Sequence, residues 1–389
     1  MTMPAQTVVV VGSRLMGLDL LRLVAVLLVL GRHMEPPPQS WQSPLAAALR
    51  AWQQFGGLGV DLFFVLSGFL VSGLLFVEYQ KHGRISVGRF YLRRAWRIYP
   101  AFYTLIIFSY LAYFMGFSWK LRDRQLFSEL LFIQNYQQAF WSHTWTLALE
   151  EHFYLLLPLV LLLLVKLNAG AANPFRAMPK LVAASSCLFL AIRAVNWAVR
   201  DEYSWYTHAW PSHLRMDSLF FGVGLAYAYH YHPDGFQRFL RPLRYPLIVA
   251  GAAMLSSGAW LPVRVSPWYY HTLGFTQYYL ASAALLTGTL LCRIPRNAAT
   301  RALAALGAQS YSIYLWHMAL MYWAVPKLRQ SFSWEVRTLL YFAGAFVIGI
   351  AMAKALELPL LRLRDRWYPS RTVERSPAAP IELPAQRAA

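Results

Sequence analysis

Residues 143–158 read HTWTLALEEHFYLLLP, with two adjacent carboxylates, Glu150 and Glu151, between histidines at the mouth of a long apolar run. A charge at the centre of a membrane helix costs roughly 2.5–3.5 kcal/mol on insertion scales, so such groups line a wet cavity, lie at an interface, or serve a site. The first apolar run carries a similar set. Asp19 and Arg22 are three apart and share a helix face, where they can pair. His33 lies eleven residues beyond Arg22, nearly three turns on, so it falls on almost the same face roughly 16 Å further along. Further ionisable residues stand in apolar surroundings: Asp61 in GGLGVDLFFVLSGFLVSG, Arg215 in HLRMDSLFFGVG and His317 in SYSIYLWHMAL. A histidine titrating near neutrality is a natural general base, and a carboxylate can fix its tautomer and stabilise the imidazolium. Arg94 and Arg97, three apart at a helix start, can converge on one anion, and the planar fork of arginine suits phosphate. Each residue also has a plainer reading. Asp19 and Arg22 make a structural pair, and His317 is a hydrogen-bonded core histidine. Ser67 and Gly68 permit close helix packing, and the arginines set orientation and hold lipid head groups.

Membrane helices must position these groups. Of the 389 residues 58% are hydrophobic and 14% charged, against about a quarter charged in ordinary soluble domains. Aromatic residues at 16% suit belts at the two interfaces. About ten runs reach the roughly 20 residues needed to span: 17–34, 56–78, 99–117, 145–165, 181–199, 214–231, 245–262, 273–292, 303–324 and 338–360. The predicted fold is therefore an all-α polytopic bundle of about ten transmembrane helices. The segment 126–140 is too short and polar to span and reads as an interfacial or re-entrant helix. Lys and Arg favour one set of loops by about two to one, which puts both termini in the cytoplasm, although clusters at 120–124 and 327–337 run the other way. The net charge of +19 is absorbed by this bias, and nucleic-acid binding is set aside. Residues 1–16 form a cytoplasmic segment with no basic start to a cleavable signal, 17–366 the membrane domain, and 367–389 a disordered Pro- and Ala-rich tail. Cys187 and Cys292, in separate runs, make no metal motif, and no metal is expected.

Six stretches, in order, carry a resemblance: LDLLRLVAVLLVLGRH, GVDLFFVLSGFLV, RRAWRIYP, WTLALEEHFYLLLP, RMDSLFFG and SYSIYLWH. Together they resemble the acyltransferase 3 family of integral membrane proteins from about residue 17 to 360. The resemblance implies an O-acyltransferase that moves an acyl group, often acetyl, from cytoplasmic acyl-CoA to a hydroxyl. It also implies an integral protein of a bacterial inner membrane, surrounded by membrane lipids. The family's first-span Arg and His fall on Arg22 and His33, its arginine pair on Arg94 and Arg97, and its acid on Glu150, five residues after Trp145. Two positions depart from the pattern, Thr146 where Ser is usual and His152 where Gln is usual; they bear on substrate detail and not on reaction class. Many members add an extracytoplasmic hydrolase-like domain, and the resemblance here implies a bundle working without one or with a partner.

The mechanism expected is direct transfer. Arg94 and Arg97 hold the phosphates of acyl-CoA, Arg22 lines the path of its arm, and His33 is general base with Glu150 orienting it. Glu151, turned about 100° away on the helix, is the weaker candidate. Asp19, Asp61, Arg215 and His317 remain pore or acceptor-site candidates. Acyl-CoA, best acetyl-CoA, is the donor and no cofactor is permanently bound. The acceptor is a carbohydrate or glycolipid of a surface or exported polysaccharide, with a small molecule such as a macrolide as the alternative. The rival class is a secondary transporter using the same charges as a proton relay, but no internal repeat or paired broken helices are apparent.

Overall fold

The computed structural model describes residues 11–116, 123–200, 202–260 and 267–369. Helices make up the framework, and no strand occurs among the described residues. Those used below are, in chain order, α1 (Val11–His33), α2 (Pro44–Phe55), α3 (Gly59–His82), α4 (Val87–Phe114), α5 (Asp123–Leu130), α6 (Trp145–Leu167), α7 (Met178–Val199), α8 (Ser212–Tyr231), α9 (Arg244–Trp260), α10 (Phe275–Leu291), α11 (Ala298–Ala308), α12 (Ser310–Ala319), α13 (Trp334–Met352) and α14 (Leu358–Trp367), with shorter helices between some of them. All ten predicted segments overlap helices. Among the described residues, four helical stretches are long and apolar enough to cross a bilayer by length and composition: Pro44–His82, Ser142–Leu167, Met178–Val199 and Trp334–Trp367. Several of the others carry arginines or break before reaching that length. Most of the predicted tail, from residue 370, lies outside the described residues, as do residues 1–10.

Local chemistry sets the helix ends. Ser43 caps α2 by accepting the Ala46 N–H at 3.2 Å, with Pro44 in the first turn, where its missing N–H costs nothing. Gly83 ends α3 at φ +65°, a left-handed conformation that favours glycine. Asn297 caps α11 through the Thr300 N–H at 2.8 Å. Close crossings depend on missing side chains: a Cβ on Gly68 of α3 would overlap the Leu219 carbonyl of α8, and one on Gly222 of α8 would overlap the Val65 carbonyl of α3.

Three expectations are corrected. The helix predicted from 99 starts at Val87, so Arg89, Arg93, Arg94 and Arg97 lie on α4 and not in a loop. Arginine stems can cover apolar surface while their heads stay wet, so a hydropathy reading starts such a helix too late. The run 303–324 is broken at Gln309 between α11 and α12 and continues through a wide π-turn at Leu320–Ala324. The segment 126–140 is helical only to Leu130 and turns at Phe132, φ 55°. Its buried amides then tie it down: Gln134 donates to the Thr144 carbonyl at 3.0 Å and Asn135 to Ser212 Oγ at 2.8 Å. The basic cluster at 327–337 that ran against the charge bias is matched by Glu35, which meets Arg329 at 3.1 Å and Arg337 at 2.9 Å.

Candidate active site

Helices α1, α3, α4, α6 and α12 surround a cavity of about 260 Å³. Its polar lining includes Arg22, Ser67, Arg94, Arg97, Glu150 and Tyr154, and its aromatic lining includes Phe63, Tyr311 and Tyr314. Arg22 also donates to Asp19, the i,i+3 pair that spacing suggested. The Arg94 guanidinium lies 5.4 Å from the centre of the Tyr154 ring. Tyr154, one turn beyond Glu150, donates its hydroxyl to Glu150 Oε2 at 3.1 Å and lies 2.6 Å from Ser67 Oγ. Since Tyr154 spends its proton on Glu150, Ser67 is the donor in that second bond. Three arginines thus share one cavity with a carboxylate already held by a tyrosine.

The cavity lining stops at Thr146 and Tyr314. The Tyr314 hydroxyl donates to the His143 carbonyl at 2.6 Å and meets Thr146 Oγ1 at 2.6 Å. Beyond this crossing lies a group of imidazoles. His33, half-buried at the end of α1, sits with Nδ1 3.0 Å from Nε2 of fully buried His317. His317 Nδ1 lies 2.5 Å from the Tyr314 carbonyl, and His143 presents its ring edge-on to His317 at 5.1 Å.

The candidates therefore divide. Arg22, Arg94, Arg97 and Glu150 meet in the cavity, while His33 and His317 meet beyond it. Glu150 bonds Tyr154, and the ring partner of His33 is His317, so the expected Glu150–His33 pair is not formed. The ring that meets His33 comes from a helix 284 residues away in sequence. Glu151 turns to α4, where Tyr99 donates to its Oε2 at 3.0 Å. Asp61 and Arg215 do not line the cavity; they form a buried ion pair at 2.7 Å, with the Arg215 guanidinium 3.8 Å from the Phe275 ring centre. Sequence reading gave Ser67 to helix packing and missed Tyr154, Tyr311 and Tyr314; Tyr154 was detectable four residues after Glu150 on the same helix face. It also missed the buried pair Arg193–Asp217, 2.8 Å apart, which an arginine inside the apolar run of α7 foreshadows. Among the described residues no three or more His, Cys, Asp or Glu side chains gather as a metal site.

A cavity rich in arginine beside a histidine pair suits transfer of a group carried on an anionic donor. The acyltransferase domain family matches residues 16–356. The chain belongs to the acyltransferase 3 family. This acyltransferase is 24% identical over 371 residues to the peptidoglycan O-acetyltransferase OatA of Listeria monocytogenes, covering 88% of the chain and 55% of that relative. It is 25% identical over 323 residues to the O-acetyltransferase OatA of Staphylococcus aureus, covering 77% of the chain and 49% of the relative. The acyltransferase thus spans about half the length of these curated relatives. No solved structure matches it. With its apolar helices, it is a membrane protein of this family.

Proposed function

We propose that the chain transfers an acetyl group from acyl-CoA to a hydroxyl of a carbohydrate or glycolipid, with His33 as general base. The observation that carries this reading is the cavity lined by Arg22, Arg94 and Arg97, which ends at the Tyr314 crossing next to the His33–His317 pair. Arg94 and Arg97 bind the donor's phosphates by charge-assisted, bidentate hydrogen bonds. Arg22 faces the same space further along. The acceptor hydroxyl gives its proton to His33 as its oxygen attacks the thioester carbonyl. The C–O ester bond forms, the C–S bond breaks, and the thiolate of CoA recovers the proton from the imidazolium. Base catalysis of this kind contributes about 10²–10⁴-fold, and positioning much of the rest. Glu150 acts on the donor side, where Tyr154 holds its carboxylate. The cytoplasmic arginines, both termini inside and a bacterial inner membrane complete the proposal. Peptidoglycan, named for the Listeria relative, supports a glycan acceptor.

The test uses membranes bearing either wild type or His33→Ala, supplied with acetyl-CoA labelled in the acetyl group. Label reaching a carbohydrate- or lipid-bound ester with wild type only is the expected result. Equal labelling from both removes His33 as base. Absence of acyl-CoA turnover by wild type with a glycan acceptor supplied favours a transporter, a class to which the broken α11–α12 helix would also be suited.

A further inference from the structure

We propose that His317 is the positioning residue of the reaction: its hydrogen bond to His33 selects the ring tautomer in which His33 can accept a proton. The inference rests on His33 being the general base and assigns the group that makes it one. The Tyr314 carbonyl has no proton to give. His317 Nδ1, 2.5 Å away, must therefore be the donor. A neutral imidazole carries one N–H, so Nε2 of His317 is bare and can only accept. Its partner at 3.0 Å is His33 Nδ1, which must then carry the proton of its own ring. That leaves Nε2 of His33 with a free lone pair, the form a general base needs.

Packing holds the relay in place. His317 is 0% exposed, with the His143 ring 5.1 Å and the Tyr314 ring 5.7 Å from it. His143 makes its own bond elsewhere, its Nε2 donating to the Leu315 carbonyl at 3.1 Å. The relay also survives the reaction, since protonated His33 keeps its Nδ1–H on the same acceptor. His317 is a neutral orienter in a place where a carboxylate would be usual, and the nearby carboxylate, Glu150, is bonded to Tyr154.

The experiment compares wild type, His317→Leu, His317→Gln and His33→Ala in acetyl-CoA turnover, with kcat and KM separated. Leucine removes the acceptor, so kcat should fall about 10²–10⁴-fold while KM for acetyl-CoA holds. Glutamine can give its N–H to the Tyr314 carbonyl and offer its own carbonyl to His33, so it should restore most of kcat. A leucine variant as fast as wild type, beside an inactive His33→Ala, overturns the positioning role and leaves the base standing. Full activity in His33→Ala overturns the base itself, a separate failure. A glutamine variant as slow as leucine, with both folded, also overturns the relay. Should the variants not fold, ¹⁵N spectra of histidine-labelled wild type decide: His33 protonated at Nδ1 is expected, and protonation at Nε2 refutes it.

Discussion

The Asp61–Arg215 pair decides whether two intramembrane charges belong to the bundle or to the chemistry. Its N–O separation of 2.7 Å corresponds to about 6 kcal/mol of attraction at an effective dielectric of about 20. Desolvation of both groups offsets most of that, since Asp61 is 2% and Arg215 4% exposed. Deleting one partner strands the other charge, which costs about 3–5 kcal/mol, whereas replacing both with apolar residues of similar volume is close to neutral. Asp61→Leu and Arg215→Met should each lower the melting temperature of detergent-solubilised protein by about 5 °C. The double variant should recover most of that loss, because no charge is left unpaired. Intrinsic tryptophan fluorescence on heating reads all three. Acetyl-CoA turnover below the transition should persist in the folded fraction of each. A single variant that melts with wild type, or a double variant no better than the singles, would refute the structural assignment. A stable Arg215→Met without turnover would return the pair to the site.

Two further outcomes follow from the same geometry. In the proposed phosphate-binding role, Arg94→Ala and Arg97→Ala each remove a charge-assisted hydrogen bond to the donor, worth about 1.5–3 kcal/mol. Each should therefore raise KM for acetyl-CoA about tenfold or more with little change in kcat; steady-state kinetics that show kcat falling at constant KM contradict the phosphate role. Glu129, in the short helix α5 outside the spans, is pushed up from its ordinary 4.5 to about 7 by burial, which outweighs its bonds from the Trp141 N–H and Thr144 hydroxyl. The folded chain then keeps a proton that the unfolded chain releases, so stability is fullest below about pH 4.5 and falls as pH rises toward 7, by about 3 kcal/mol in all. Melting temperatures measured from pH 5 to 8 should fall for wild type and flatten for Glu129→Gln.

How far the sequence reached depended on whether a property was local. Apolar runs located helical segments because hydropathy is written residue by residue, and four of the described stretches are long and apolar enough to cross a bilayer. The i,i+3 spacing of Asp19 and Arg22 produced the pair the structure contains. Arg22, Arg94, Arg97 and Glu150 share one cavity, although they come from three helices. Partner choice was less legible. Which ring meets His33 depends on rotation of α1 against α12, and no local pattern encodes that. Tyr154 and Tyr314 were overlooked because tyrosine is common at membrane interfaces, so its type alone marks nothing. The early start of α4 was hidden for the opposite reason, as its arginines lower hydropathy without breaking the helix.

The end of the chain bears on how the protein should be trimmed. Asp365 of α14 pairs with Arg93 at 3.0 Å, Arg93 also donates to the Tyr368 carbonyl, and Trp367 stacks edge-to-face on Trp96 at 5.5 Å. All of these anchors grip the turn of α4 that carries Arg94 and Arg97, and all lie past residue 356, where the homologous region stops. A chain cut to that region would lose the clamp on its own arginine helix, so a purification tag belongs beyond residue 369 and a truncation short of it removes more than a tail.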